Sequence, residues 1–280
     1  MDKTSLILGF FDGVHKGHRE VIKTAIGHGK TFLITFKNSP AEHFGKKVEY
    51  IYPREKSYEL IKSLGVDEII EQDFSEIAKV SAEDYLENYL VKKYTPITIS
   101  TGFNHTFGAH RTGNSEFLEK NQEKYNYKYF CSPACCIDNE VVSSSKIREL
   151  LMEGNIEKAN KFLGSNFSIT STVTEGEKLG RKIGFPTANL VYPEKIVRLP
   201  YGVYGVKVFG KPAVLNWGVK PTVGGKYERI EVHIPDFSGN LYNLLLEVVF
   251  VKKIREEQKF ASLDELKHQI KKDVEECLKL

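Results

Sequence analysis

A chain of 280 residues with 41% hydrophobic and 28% charged residues has the make-up of a globular protein, with room for one large or two modest domains. Its formal charge of +3 is small and mixed along the chain, which argues against nucleic acid as a partner, and no apolar run approaches the length of a membrane span. The cysteines Cys131, Cys135, Cys136 and Cys277 lack the paired Cys-X2-Cys arms of a structural zinc site and read as small buried hydrophobes.

The start, Met1-Asp2-Lys3-Thr4, shows no signal-peptide apolar region, so the expected compartment is the cytoplasm. Leu6-Ile7-Leu8 predicts a short buried strand. Gly9, Asp12 and Gly13 follow, then His15 and His18 with Gly17 between them, and a helix-compatible segment from His18 to about His28. Strand, glycine turn and helix start is the geometry that turns backbone N–H groups and a helix N-terminus toward a phosphate. Two histidines three apart share one helix face and can donate to the same phosphoryl group, and Gly17 leaves room for a nucleotide against the backbone.

Lys30 to Phe36 predicts a second buried strand. Gly29-Lys30-Thr31 is not the end of a P-loop, because the order is helix then strand and the pattern's first glycine would fall at Thr24. An irregular stretch runs from Asn38 to about Pro53. Arg54 to Leu64 predicts a helix and Val66 to Ile70 a strand. Ser81 opens a helix reaching about Lys93, with Tyr85, Leu86, Tyr89 and Leu90 as its apolar face. Pro96 to Ser100 predicts another strand. The alternation implies a doubly wound, Rossmann-like α/β domain. In such a sheet the loop from Thr101 to Gly113 lies beyond a strand's C-terminal end, where ligands bind. There Asn104 can donate and accept, and Phe107 offers a stacking face. Val142-Ser-Ser-Ser-Lys-Ile-Arg148 leads into a helix; it reads either as a triphosphate clamp or as an N-cap cluster.

After a short helix from Gly154 to Gly164 the character changes. Short β-like runs separated by Gly and Pro (Ser168 to Glu175, Val203 to Phe209, Ala213 to Asn216, Arg229 to Ile234, Asn243 to Phe250) predict a small antiparallel β-barrel. A terminal amphipathic helix follows, with Leu263, Leu266, Ile270, Val274 and Leu278 on one side. The boundary falls near residues 153–166, giving domains 1–157 and 165–280. The second domain has its own constellation. A glycine-rich flap from Gly176, with Gly180, leads into Pro186-Thr187-Ala188-Asn189. Thr187 and Asn189 are two apart in extended chain and offer oxygen ligands able to complete a Mg²⁺ shell that already holds phosphate oxygens and water. Glu231, among apolar neighbours in an alternating strand, is either a solvent-facing residue or a base that orients an attacking alcohol and takes its proton late.

Gly-Phe-Phe-Asp-Gly-Val-His-Lys-Gly-His (9–18) looks like the His-X-Gly-His signature of nucleotidyltransferases. With Gly-Phe-Asn-His-Thr-Phe-Gly (102–108) and Val-Ser-Ser-Ser-Lys-Ile-Arg (142–148), it resembles the adenylyltransferase motifs of the prokaryotic bifunctional riboflavin kinase/FMN adenylyltransferase family, the FAD synthetases. Gly-Phe-Pro-Thr-Ala-Asn (184–189), Tyr-Gly-Val-Tyr (201–204), Asn-Trp-Gly-Val-Lys-Pro-Thr (216–222) and Glu-Val-His-Ile-Pro-Asp-Phe (231–237) resemble its kinase motifs, the more specific set.

The resemblance implies that the barrel phosphorylates riboflavin with Mg-ATP and that the α/β domain adenylylates FMN with a second ATP, giving FAD and pyrophosphate. His15 and His18 would polarise the ATP phosphates, with Gly9, Asp12 and Gly17 shaping the pocket. Ser144, Ser145 and Arg148 would clamp the triphosphate, and Asn104 and Phe107 would hold the flavin. In the kinase half, Gly176 and Gly180 would approach the nucleotide, Thr187 and Asn189 would bind Mg²⁺, and Glu231 would act on the ribityl 5′-hydroxyl. Expected partners are riboflavin, FMN, FAD and ATP, with self-association left open. The chain departs from the family after its second strand, where Thr35-Phe36-Lys37-Asn38-Ser39-Pro40 lacks the usual His-Pro; Phe10 and Ser145 are smaller departures. One alternative is therefore a riboflavin kinase with a weak or inactive adenylyltransferase domain. The other is a non-enzymatic flavin-binding regulator, against which the pairing of a metal loop with Glu231 argues.

Overall fold

Successive residues of the first apolar run enter two different cores. Leu6 and Leu8 pack with Ile34, Tyr85, Leu86, Leu90 and Ile99, whereas Ile7 packs with Val21, Ile22, Leu33 and Ile61. This period of two, buried on both faces, marks a central parallel strand. It is β1 (Thr4–Leu8) of a five-stranded parallel sheet with β2 (Lys30–Phe36), β3 (Glu68–Gln72), β4 (Pro96–Gly102) and β5 (Lys128–Ser132). The strand order is β3-β2-β1-β4-β5, so the direction of winding reverses between β1 and β4. In the computed structural model, which describes residues 3–176, 179–222 and 225–280, this sheet lies in a first unit of residues 1–144 and a barrel in a second of residues 145–280.

The helix Lys16–Ala25 starts two residues before its expected position, with His15 as N-cap. Arg54–Ser63 forms as expected. Ser81 caps a helical stretch over residues 82–94 by accepting from the Asp84 N–H, and its middle, Tyr85–Val91, is π-helical. Helix Ser115–Tyr125 and strand β5 are additions to the expected elements. That helix has one buried side chain, Leu118, and its N-cap is Asn114, so its apolar periodicity is weak. β5 is an edge strand. Cys131 on it is exposed, as is Cys136 in the small hairpin of β6 (Cys136–Ile137) and β7 (Glu140–Val141); of the four cysteines only Cys277 is the buried hydrophobe the sequence suggested.

The second unit is a closed six-stranded antiparallel barrel, β10-β11-β12-β9-β8-β13, built from β8 (Ser168–Thr174), β9 (Ala188–Leu190), β10 (Gly202–Val208), β11 (Lys211–Thr222), β12 (Gly225–His233) and β13 (Leu245–Arg255). β11 runs six residues past the expected Asn216. Gly218 and Pro221 read as breakers, but they lie in a long β11–β12 hairpin that pairs through to Thr222 and Gly225. Helix Ile156–Leu163 is tied to the barrel by Asn160, whose carboxamide donates to the Phe250 carbonyl at 2.9 Å and accepts from the Phe167 N–H at 2.7 Å. The terminal helix Leu263–Cys277 turns Leu266, Ile270, Asp273, Val274 and Cys277 inward. Leu263 and Leu278, expected on the same face, are exposed at its two ends.

Candidate active sites

Ligands of open α/β sheets bind beyond the strand ends where the winding reverses, here past Leu8 of β1 and Gly102 of β4. The loop after β1 is pinned at several points. Gly9 N–H donates to the Ile34 carbonyl, the Asp12 carboxylate accepts from Ile51 N–H at 2.9 Å, and Ser144 Oγ donates to the Asp12 carbonyl at 2.9 Å. Val14, fully buried, sits at φ 44°, a left-handed conformation that β-branched residues rarely adopt. Its carbonyl accepts from Arg19 Nε. The strain is held at the residue that aims His15.

His15 Nδ1 accepts the His18 backbone N–H at 3.3 Å. With Nδ1 accepting, a neutral His15 carries its proton on Nε2. The two imidazoles stack at 3.6 Å between centroids and 17° between planes, and His18 also meets Phe11 at 5.0 Å. Burial, and secondarily the neighbouring His15, hold the His18 pKa well below 6.5. His18 is thus held neutral beside His15. A Cβ on Gly17 would come within 3.3 Å of the His15 ring, so the glycine lets the two rings keep this spacing. Ser145 and Arg148 lie on helix Ser144–Met152, where Arg148 Nη2 donates to Ser145 Oγ at 3.4 Å.

A cavity of about 590 Å³ opens at the ends of β1 and β2. Its walls include Gly9, Phe36, Phe74, Tyr85, His105 and Phe107. Phe107 is 9% exposed and belongs to the core, meeting Tyr85 tilted and Phe117 edge-on, so only part of its ring reaches the cavity. Asn104 is exposed and is not part of the wall. Phe36 and Phe74 carried no functional expectation; Phe36 was findable as the residue ending β2, by the same strand-end rule that marks Leu8. The unusual Asn38-Ser39-Pro40 has a structural role. Ser39 accepts from the Ala41 N–H and caps the turn Pro40–His43, and His43 joins the cavity wall.

In the barrel, antiparallel register places Asn189, Glu231 and Asn216 directly opposite one another on β9, β12 and β11. Opposed residues project to the same face. Glu231 Oε1 accepts from Thr187 Oγ1 at 3.0 Å and pairs with Arg229 Nη2 at 2.7 Å. Both partners of the ion pair are largely shielded from solvent, so the geometry is firmly set. Thr187 lines two cavities. One, about 260 Å³, holds Asn216, Arg229 and Glu231 and is closed by the terminal helix. The other, about 380 Å³, is lined by Arg181, Pro186 and the segment Phe237 to Tyr242. Arg229 and Asn216 carried no role in the sequence reading. Asn216 stood within a quoted motif, and Arg229, two before Glu231 on one strand, shares its face.

The flap contributes Gly176 and Gly180. A Cβ on Gly176 would collide with the Asn189 carboxamide, and one on Gly180 with the Phe185 carbonyl. Glu177, Lys178, Val223 and Gly224 lie outside the described residues. The wall of the 260 Å³ cavity opposite Glu231 is locked by charge. Asp273, 3% exposed, accepts from Arg255 Nη2 at 2.7 Å and Nε at 3.0 Å, and from Gln269 Nε2 at 2.9 Å.

The oxygen donors Thr187 and Asn189 suit a hard divalent cation. Among the described residues no group of three or more His, Cys, Asp or Glu side chains is placed to hold a metal. A cation beside Thr187 would therefore take most of its shell from phosphate and water, as Mg²⁺ does. A hydroxyl docked in one cavity and a nucleotide in the other would meet across Thr187, beside a carboxylate able to orient the hydroxyl.

Residues 1–146 match the FAD synthetase family model and residues 163–280 the riboflavin kinase model. A bifunctional riboflavin kinase/FMN adenylyltransferase of Buchnera aphidicola is 36% identical, covering 97% of this chain and 92% of its own. The protein of that name from Escherichia coli is 34% identical (96% and 90%), and that from Bacillus subtilis 33% (99% and 92%). A solved structure from Streptococcus pneumoniae, described as a macrolide-efflux protein, has a TM-score of 0.88 at 30% identity, covering 98% of this chain and 93% of that one. No helix among the described residues is long and apolar enough to cross a membrane.

Proposed function

The chain belongs to the bifunctional riboflavin kinase/FMN adenylyltransferase family, and from that premise we propose which of its residues carry each reaction. It phosphorylates riboflavin with ATP to FMN and adenylylates FMN with a second ATP to FAD, releasing pyrophosphate. In the barrel, the ribityl chain of riboflavin enters the 260 Å³ cavity and ATP the 380 Å³ cavity. Glu231, steadied by Arg229, orients the 5′-hydroxyl toward the γ-phosphorus and takes its proton as the new O–P bond forms, the bond to the β–γ bridging oxygen breaks and ADP leaves. Thr187 and Asn189 would hold Mg²⁺, which when bound would neutralise charge on the phosphate oxygens. Gly176 and Gly180 let the flap backbone lie close to the nucleotide. The observation that supports this assignment is the bond from Thr187, on the wall between two cavities, to Glu231.

In the α/β domain His15 and His18 donate to the phosphate oxygens of ATP as the FMN phosphate attacks the α-phosphorus and pyrophosphate leaves. A neutral donor at His18 serves here because the developing charge is negative and the step needs positioning more than proton transfer. Ser144, Ser145 and Arg148 are assigned to the triphosphate by their motif, and Asn104 and Phe107 to FMN. The aromatic cavity beside β1 and β2 takes the isoalloxazine. The four free cysteines accord with a reducing cytoplasm.

The test is a time course of purified protein with riboflavin, ATP and Mg²⁺, separated by chromatography. FMN followed by FAD is expected. Replacing Glu231 should stop the first product and leave adenylylation of supplied FMN; replacing His18 should do the reverse. A folded single variant that loses both reactions overturns the two-site assignment.

A further inference from the structure

The α/β cavity contains a polar atom that neither the catalytic chemistry nor the fold employs. His105 Nε2 is buried and has no hydrogen-bond partner among the described residues. Its ring stacks at 22° on Phe107, 5.9 Å between centroids, and its backbone N–H donates to the Gly102 carbonyl at 3.1 Å, which fixes the residue at the end of β4. A buried ring nitrogen without a partner is uncommon and costly, and it points to a ligand group that completes it.

We propose that His105 is a specificity-determining residue, whose Nε2 hydrogen-bonds the polar pyrimidine edge of the flavin during adenylylation. The proposal rests on the reading that the 590 Å³ cavity holds the isoalloxazine. The surrounding wall selects the chemistry. Phe36, Phe74, Ile77 and Tyr85 form an apolar, aromatic stretch that suits a flat ring system, with Lys79 and Arg111 elsewhere on the wall. The flavin edge presents carbonyl, N–H and carbonyl in a row, so it matches either tautomer of a neutral imidazole. Burial keeps the imidazole neutral by lowering its pKa to about 4. Phe107 then acts on His105 as a stacking support as well as on the ring system beside it.

Three variants of the full chain test this: His105→Phe, His105→Gln and Ala78→Trp, which fills the cavity from its wall. The assay is FAD formation from supplied FMN and from N3-methylated FMN, with the thermal unfolding transition of the first unit as the control for folding. His105→Phe should raise KM for FMN roughly tenfold, the scale of one hydrogen bond to a buried group, with kcat and the KM for ATP nearly unchanged. His105→Gln, which keeps a donor and an acceptor, should recover most of that loss. N3 methylation should weaken FMN in the parent protein and make little difference in His105→Phe. Ala78→Trp should abolish use of FMN. If Ala78→Trp blocks FMN but His105→Phe leaves its KM and the methylation penalty unchanged, the role of His105 is overturned and the cavity assignment stands. If Ala78→Trp leaves the KM for FMN unchanged, the cavity is not the flavin site and both fall.

Discussion

Removing the Asp273 carboxylate should loosen the terminal helix and spoil the kinase site without touching adenylylation. In the parent protein that carboxylate is almost fully buried and takes bonds from Arg255 and Gln269, so Asp273→Ala strands a guanidinium against the barrel. Breaking one half of a buried pair costs about 3–5 kcal/mol. The lower end applies here, because the Arg255 side chain keeps 16% exposure and a bond to the Glu256 carbonyl. At about 3 kcal/mol the barrel's unfolding transition should fall by roughly 10 °C. Scanning calorimetry of the full chain reads this directly. Riboflavin KM should rise in the same variant, since Leu266, Ile270 and Asp273 wall the cavity that holds Glu231. The double variant Arg255→Met, Asp273→Leu should regain most of the lost stability, because it removes both charges and keeps the volume. A transition that moves by less than about 2 °C in Asp273→Ala would refute the account of how this helix is held.

Glu231→Gln should lower the kinase kcat by roughly 10²–10⁴, the range for a lost general base, and leave FAD formation from FMN intact. His18→Ala should lower adenylylation and leave FMN formation intact, read in the same product assay. Gly176→Ala should cut kinase turnover with little change in melting temperature, because its Cβ meets the Asn189 carboxamide and not the core. The first unit should lose stability in acid. His105 titrates at about 4 when folded and near its ordinary 6.5 when unfolded, so the unfolded chain binds the extra proton between those values. Stability is full above pH 6.5 and falls as the pH drops toward 4, by about 3 kcal/mol for this group. His18, also depressed, acts in the same direction. Denaturant melts at pH 7 and pH 4.5 check it, and equal midpoints for the first unit would contradict it.

The fold was legible where the pattern was strong. Leu6 to Leu8, Lys30 to Phe36 and the face Tyr85, Leu86, Leu90 declared themselves by burial period, and the barrel by its spacing of short strands. Elements with thin patterns escaped. Ser115–Tyr125 buries a single side chain, and the end of β11 hides behind Gly218 and Pro221. The candidate sites divide in the same way. His15, His18, Thr187 and Glu231 stand in contiguous motifs, whereas Arg229, Asn216 and Asp273 matter through register and packing that one sequence does not display. Phe36, Phe74 and His105 are far apart in the chain and meet only because a parallel sheet brings the carboxyl ends of its strands to one edge.

On the proposed assignment the two sites oppose phosphate charge by different means, and the donors follow from that. Past β1 the proposed contacts to phosphate are direct, through ring N–H groups of His15 and of His18, the latter kept neutral by burial. In the barrel a cation would meet the charge, held by the oxygens of Thr187 and Asn189 under the proposed assignment. Each set works only if the chain approaches closely, and each has a glycine beside it: Gly17 against the His15 ring and Gly176 against the Asn189 carboxamide. A methyl group at either position presses on the donor itself. The glycines therefore constrain these sites as tightly as the donors, and a lesion at one should damage one reaction only, because Gly17 and Gly176 lie in separate units with separate cores.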